Sequence, residues 1–183
     1  RRLADRNAAA TQWTLFLGGG AYDHFIPSVV GHVVGRSEFY TAYTPYQPEV
    51  SQGVLQSIYE YQTLIVRLTG MDVSNASMYD GPSALAEAAL TACAATRRTK
   101  VVVPATVHPE ARETLRTYTA GQRVEIITVP FDPKTGRTDL AQLERCVDDA
   151  TAAVLLAHPN FFGCLEEPDE FARLAHAKGA LLI

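Results

Sequence analysis

Val101-Val102-Val103, Val124-Glu125-Ile126-Ile127-Thr128-Val129, Ala152-Ala153-Val154-Leu155-Leu156-Ala157 and Ala180-Leu181-Leu182-Ile183 are four short apolar runs separated by amphipathic stretches. The runs are strand-length, while the stretches near residues 108–119, 139–149 and 168–178 carry apolar residues at helical spacing. Strands that are apolar throughout must be covered on both faces, the condition of a parallel sheet sandwiched by its crossover helices. The fold class is therefore α/β, a mostly parallel sheet with helices on both faces.

Upstream, Leu55, Ile58, Tyr59, Leu64, Ile65 and Leu68 predict one long amphipathic helix from about residue 54 to a stop at Gly70. Ser83 to Ala95 reads as a second helix, alanine-rich and small enough on all sides to be buried, opened by Asp80-Gly81-Pro82-Ser83. The chain stops at Ile183, inside the fourth strand and before the next crossover helix. That pattern leads us to expect a piece of a longer polypeptide, with an unfinished sheet edge that favours association. Residues 1–70 are expected to form an extended, loop and long-helix segment for subunit contacts, and residues 71–183 the first part of a large domain.

Bulk properties exclude several partners. With a net charge of -4 and basic residues scattered apart from Arg97, Arg98 and Lys100, neither nucleic acid nor an anionic membrane is expected to bind. That trio reads as a solvated helix end. No apolar run of about 18 residues is present to span a bilayer, and Arg1-Arg2 is not followed by a signal-peptide core. The expected compartment is the cytoplasm. Cys93, Cys146 and Cys164 lack CxxC or metal-ligand spacing, which reads as reduced thiols and no metal site. Cys93 reads as small core filling.

Chemistry is expected in the loops. The stretch from Phe39 to Gly53 carries Tyr40, Tyr43 and Tyr46 at every third position together with Pro45 and Pro48. Such a segment has little backbone freedom to lose and reads as a presenting loop in a polyproline-II-like run, or else as a surface loop packed on a neighbouring domain. The turn before the alanine-rich helix offers backbone donors to a phosphate or carboxylate, but Asp80 can cap that helix itself. In His158-Pro159-Asn160-Phe161-Phe162-Gly163-Cys164, either His158 and Asn160 bond a ligand ring or partner loop, or Asn160 closes a turn over buried phenylalanines. His108 stands at a helix start after the first strand, placed to stack on a planar ligand or to serve only that start. Gly18-Gly19-Gly20 is neither GxGxxG nor a P-loop, and Asp23-His24 reads as a structural pair.

The runs FLGGGAYDHFIPSVV (16–30), YTPYQPEVSQGVLQSIYEYQTLI (43–65), NASMYDGPSALAEAAL (75–90) and HPNFFGCLEE (158–167) resemble the glycine dehydrogenase (decarboxylating) family, the P-protein of the glycine cleavage system. Within it they are similar to the α-type chain, subunit 1 of the two-subunit form. The resemblance implies the fold-type-I, aspartate aminotransferase-like large domain, here partial. It implies glycine decarboxylation with transfer of the aminomethyl group to the lipoyl arm of H-protein, assisted by pyridoxal 5'-phosphate. It further implies an α2β2 hetero-oligomer in which subunit 2 bears the Schiff-base lysine and the cofactor. The lysines here agree, because Lys100, Lys134 and Lys178 precede a strand, sit in a turn and close a helix. On this view the chain has no catalytic lysine, and Thr44, Tyr46, Gln47, Glu49, Gln52, His158 and Asn160 lie near substrate or cofactor. The alternative is a catalytically silent scaffold that stabilises subunit 2 or docks H-protein.

Overall fold

The computed structural model describes residues 2–7, 12–14, 24–40 and 47–183. The chain divides into two compact units, Arg1–Ala76 and Ser77–Ile183.

In the first unit a 3-10 turn, Ala4–Arg6, is followed by α1 (Ser28–Val34), α2 (Ser37–Tyr40) and the long α3 (Pro48–Thr69). Helix α3 starts six residues earlier than the apolar spacing predicts. Pro48 explains this, because at the first helical position its missing N–H is one the helix leaves unbonded in any case and its φ is already helical. Ser51 departs from helical geometry, at φ -126° and ψ 35°, and marks a kink between the polar first turn and the apolar remainder. The expectation of one loop over residues 39–53 is thus corrected. Tyr40 is helical and residues 48–53 belong to α3, while Thr41 to Tyr46 lie outside the described residues. Gly70 ends the helix in the left-handed region at φ 73°, and its N–H bonds the Val66 carbonyl. Val54, Leu55, Ile58, Ile65 and Val66 are half-buried, whereas Tyr59, Leu64 and Leu68 stand in solvent. Among this unit's described residues only Ser51 is buried, so those residues close no apolar core among themselves.

The second unit opens with α4 (Gly81–Thr96), β1 (Lys100–Pro104), α5 (Pro109–Thr119) and β2 (Glu125–Val129). A small antiparallel hairpin follows, β3 (Phe131–Asp132) with β4 (Arg137–Thr138), then α6 (Leu140–Cys146), β5 (Thr151–Val154), α7 (Pro168–Ala177) and β6 (Leu181–Leu182). The four long-range strands form one parallel sheet in the order β2-β1-β5-β6. Chain order reverses at the centre: from β1 the chain crosses to β2 on one side, and from β5 to β6 on the other. Right-handed crossovers in opposite directions must place their helices on opposite faces.

Side-chain alternation along β1 follows from that layering. Val101 and Val103 pack with Ala86 and Ala89 of α4 and Ala111 and Leu115 of α5. Val102 points the other way, into a second cluster with Val154, Leu143 of α6, and Phe171 and Leu174 of α7. All three valines are essentially fully buried. Helix α4 is covered on one face only, through Ser83, Ala86, Ala89 and Ala92 at a spacing of three. Glu87, Thr91, Ala94 and Ala95 remain exposed, so the expected all-round burial is corrected. Cys93 lies against the α4–α5 cluster, where burial pushes its thiol up from its usual value.

The basic trio is not a simple solvated end. Arg97 ends α4 in the left-handed region at φ 58°, but the Arg98 guanidinium donates to the carbonyls of Thr151 and Lys178, at 2.9 and 2.8 Å. It ties the amino ends of β5 and β6 to the end of α4. Lys100 pairs with Asp148 at 2.8 Å on the same edge. Replacing Leu115, which has no exposed surface, with alanine is expected to cost about 2–5 kcal/mol. Tyr118→Ala on the outer face of α5 should cost far less, and urea unfolding midpoints would compare the two.

Candidate functional site

In an open parallel sheet, ligands collect at the carboxyl ends of the strands where the order reverses. Here that point lies between β1 and β5, and it is lined by the segment Ala105 to His108 and the turn His158 to Cys164. The two segments are joined directly, since the Phe161 N–H donates to the Thr106 carbonyl at 2.8 Å.

His108 caps α5. Its Nδ1 accepts the Glu110 N–H at 3.1 Å, and its ring lies edge-on to Phe161 with centroids 4.9 Å apart. Phe161 contacts Phe162 at 5.7 Å, and Phe162 contacts Phe131 of the hairpin at 4.7 Å. Phe161 and Phe162 are 41% and 46% exposed, so the alternative of two buried phenylalanines in this turn does not hold. They form the outer surface of the rim. His158, joined to Pro159 by a cis peptide bond, is exposed and accepts the Glu166 N–H at its Nδ1, at 3.2 Å. A neutral imidazole bonded in that way carries its proton on Nε2.

Beneath the rim lies a buried polar cluster. Asn160 donates its two amide hydrogens to the Gly136 carbonyl and to Glu166 Oε1, each at 2.8 Å. Its oxygen accepts from the N–H groups of Phe162 and Cys164, at 3.0 and 3.1 Å. Two donors and two acceptor positions are the full capacity of the side chain, so Asn160 closes the turn and keeps no hydrogen bond for a ligand. Glu166, also buried, accepts further from the Thr138 N–H and from Thr138 Oγ1, the latter at 2.9 Å. Thr138 Oγ1 lies 2.9 Å from Thr106 Oγ1. Because the Thr138 hydroxyl spends its only hydrogen on Glu166, Thr106 is the donor of that pair. At the hairpin tip Gly136, at φ 68°, lets the loop lie against the turn; a Cβ there would sit 3.1 Å from Cys164 Sγ.

A second anion position lies at the start of α4. Asp80 extends its carboxylate over the helix end, accepting the Ser83 N–H at 2.7 Å, while Ser83 Oγ donates back to the Asp80 carbonyl. The Ser83 N–H, and after it the Ser83 hydroxyl, hold the carboxyl below its usual range. The chain's own anion fills the place at which a phosphate would bind.

The remaining sequence-selected residues belong to the first unit. Gln47 is the exposed N-cap residue of α3, without a capping side-chain bond, and Glu49 and Gln52 are exposed on its first turns. Thr44 and Tyr46 lie outside the described residues, as do Gly18 to Gly20 and Asp23. Of the selected set, the structure brings His158 and Asn160 together in one turn. Thr106, Thr138 and Glu166 were not selected, for nothing in their local spacing announces that the fold converges them.

The profile of the glycine cleavage system P-protein matches residues 1–183. The chain is 61% identical over 181 residues to a probable glycine dehydrogenase (decarboxylating) subunit 1 of Carboxydothermus hydrogenoformans, and 60% identical to the one of Desulforamulus reducens. The chain belongs to the glycine cleavage system P-protein family. It spans 40% of the length of those curated relatives, which in turn cover 99% of it. A crystal structure of glycine decarboxylase (P-protein) in inhibitor-bound form superposes with a TM-score of 0.89 at 48% identity, over 99% of this chain and 40% of that one. At 19% identity and a TM-score of 0.50, a GDP-4-keto-6-deoxymannose-3-dehydratase with a trapped PLP-glutamate adduct shares the fold over 77% of this chain and 38% of its own. The aminotransferase-like α/β class expected from the resemblance is the one observed.

At this edge the described residues leave neither the Asp80-capped helix start nor the Asn160 amide free to bond pyridoxal 5'-phosphate. The helix end is taken by Asp80, the Asn160 amide is consumed internally, and no lysine is directed at the rim. Lys100 and Lys178 stand at the amino edge near Asp148 and Asp149, and Lys134 is exposed in the hairpin tip. The Asp80 cap makes a pH prediction. A carboxyl whose folded pKa is depressed contributes stability above its unfolded value, and loses it as pH falls through the folded one. Asp80→Asn, which keeps an acceptor but no charge, should flatten the loss of stability below about pH 4, as thermal melts across an acid series would show.

Proposed function

We propose that this chain forms part of subunit 1 of a cytoplasmic glycine dehydrogenase (decarboxylating), acting only in an α2β2 assembly with subunit 2. The assembled enzyme removes the carboxylate of glycine as CO2 and passes the aminomethyl group to the lipoyl arm of H-protein. Pyridoxal 5'-phosphate, held by subunit 2, supplies the electron sink for that chemistry. The observation that carries this division of labour is the self-satisfied carboxyl edge, in which Asp80 and Asn160 spend on the chain itself the groups that a cofactor would require. Family membership and relatives named as subunit 1 support it.

This chain's contribution is positional. Thr44, Tyr46 and Gln47 reach glycine or the cofactor across the subunit boundary, with Glu49 and Gln52 as supports; His158 too lies near substrate or cofactor, and Asn160 holds its turn. Residues 1–70 supply the subunit contacts and residues 71–183 the start of the large domain. Exposed Leu64 and Leu68 on α3, in a unit whose described residues close no apolar core among themselves, support an interface there with subunit 2.

Reconstituting the full-length chain with subunit 2 tests the proposal by glycine-dependent CO2 exchange. Activity is expected only from the mixture, and borohydride reduction should fix the cofactor to subunit 2. A reduced cofactor attached to a lysine of this chain would overturn the reading. Replacing both Tyr46 and Gln47 with alanine should lower exchange by about 100-fold with assembly intact. Unchanged exchange would refute the site residues, and loss of assembly before turnover would favour a scaffold.

A further inference from the structure

We infer that Glu166 is a positioning residue: its buried carboxylate sets the hydrogen-bond direction that orients the His158 to Cys164 turn. The network has one consistent polarity. Every partner of the carboxylate is a donor, namely the Thr138 N–H, the Thr138 hydroxyl and the Asn160 amide nitrogen. Thr106 completes the line behind Thr138. An acceptor-only group at position 166 therefore fixes which way the Asn160 amide faces.

That orientation decides the rest of the rim. With its nitrogen turned to Glu166 and Gly136, Asn160 must present oxygen to the N–H groups of Phe162 and Cys164. This closes the turn and carries Phe161 against His108. The backbone of the same residue acts on His158, since the Glu166 N–H donates to Nδ1 and leaves the exposed Nε2 as the hydrogen-bearing atom. One residue thus governs three segments: the end of β1 through Thr106, the hairpin through Thr138, and the turn after β5. No cation bonds the carboxylate among the described residues, so it holds these segments by hydrogen-bond direction and not by an ion pair. Neutral donors of this kind are costly to leave unpaired in a buried site.

Its functional consequence rests on the reading that this rim borders the shared glycine site. If so, Glu166 acts on the reaction without touching substrate, through the placement of His158 and Phe161.

Glu166→Gln tests this, because it keeps the size but leaves one acceptor oxygen, so whichever way its amide faces, an NH2 group is set against the Thr138 N–H or against the donors that converge on Oε1. Asn160→Asp makes the complementary change, and the double variant restores a carboxylate facing an amide with the polarity reversed. In the full-length chain each single variant should lower the thermal midpoint and mix the imidazole 15N signals of His158, whose single Nε2–H signature is expected in the unaltered protein. The double variant should recover part of both, since the new amide can donate to the new carboxylate while its oxygen keeps the Thr138 N–H, leaving the Gly136 carbonyl and the Thr138 hydroxyl to lose a partner. Losses that simply add in the double variant, or a His158 signature unmoved by Glu166→Gln, would overturn the inference. In the assembled enzyme, Glu166→Gln should reduce kcat/KM for glycine about 10- to 100-fold, with partial recovery in the double variant. Coupled variants whose exchange rates never change would uphold the positioning role and overturn the reading that the rim serves the shared site.

Discussion

The structure depends on β1 being dry on both sides. Val101 and Val103 face one helical layer and Val102 the other, each with almost no exposed surface. A strand in that position has no face to give to water, so its neighbours must be parallel strands returned by crossover helices. From that follow the reversal of chain order between β1 and β5, the opposite placement of α5 and α7, and a crevice at the carboxyl ends of these two strands. The loops that carry chemistry are where they are because three consecutive valines require cover on both sides.

This part of the molecule was legible in the sequence because burial writes itself as composition. Strand runs and helical spacing placed each sheet element within a few residues, and Gly70 ended α3 as expected. The errors have equally local causes. Helix α3 begins at Pro48 and not near residue 54 because its first turn is polar, and only the backbone preference of proline announces it. The hairpin Phe131 to Thr138 shows in the sequence only as a turn around Lys134, since two-residue strands carry no periodicity. Arg98 passed for a solvated helix end because its acceptors, the carbonyls of Thr151 and Lys178, are distant in sequence.

The carboxyl edge was legible only in outline. The turn from His158 to Cys164 and the helix start at His108 were identifiable as chemistry-bearing, but Glu166, Thr138 and Thr106 were not. Their meeting follows from the register of β1 beside β5 and from the hairpin folding over that end. Apolar cores tolerate approximate prediction because contact among them is non-directional. Polar clusters do not, since a single misplaced residue exchanges a donor for an acceptor.

The same difference explains how the loops at this edge can satisfy their polar groups internally without disturbing the layers beneath them. The layered core is indifferent to what happens at the strand ends, so its packing persists while the loops change their partners. Here the helix end meets Asp80, and the asparagine amide meets Glu166 and Gly136. Each of these bonds satisfies a group that would otherwise need a ligand or water. Bonds of this kind fix the direction in which each loop leaves its strand, and any site built on this edge depends on that placement. Internal satisfaction of the edge therefore leaves placement, and not free hydrogen-bonding groups, as what Asp80 and Asn160 supply there.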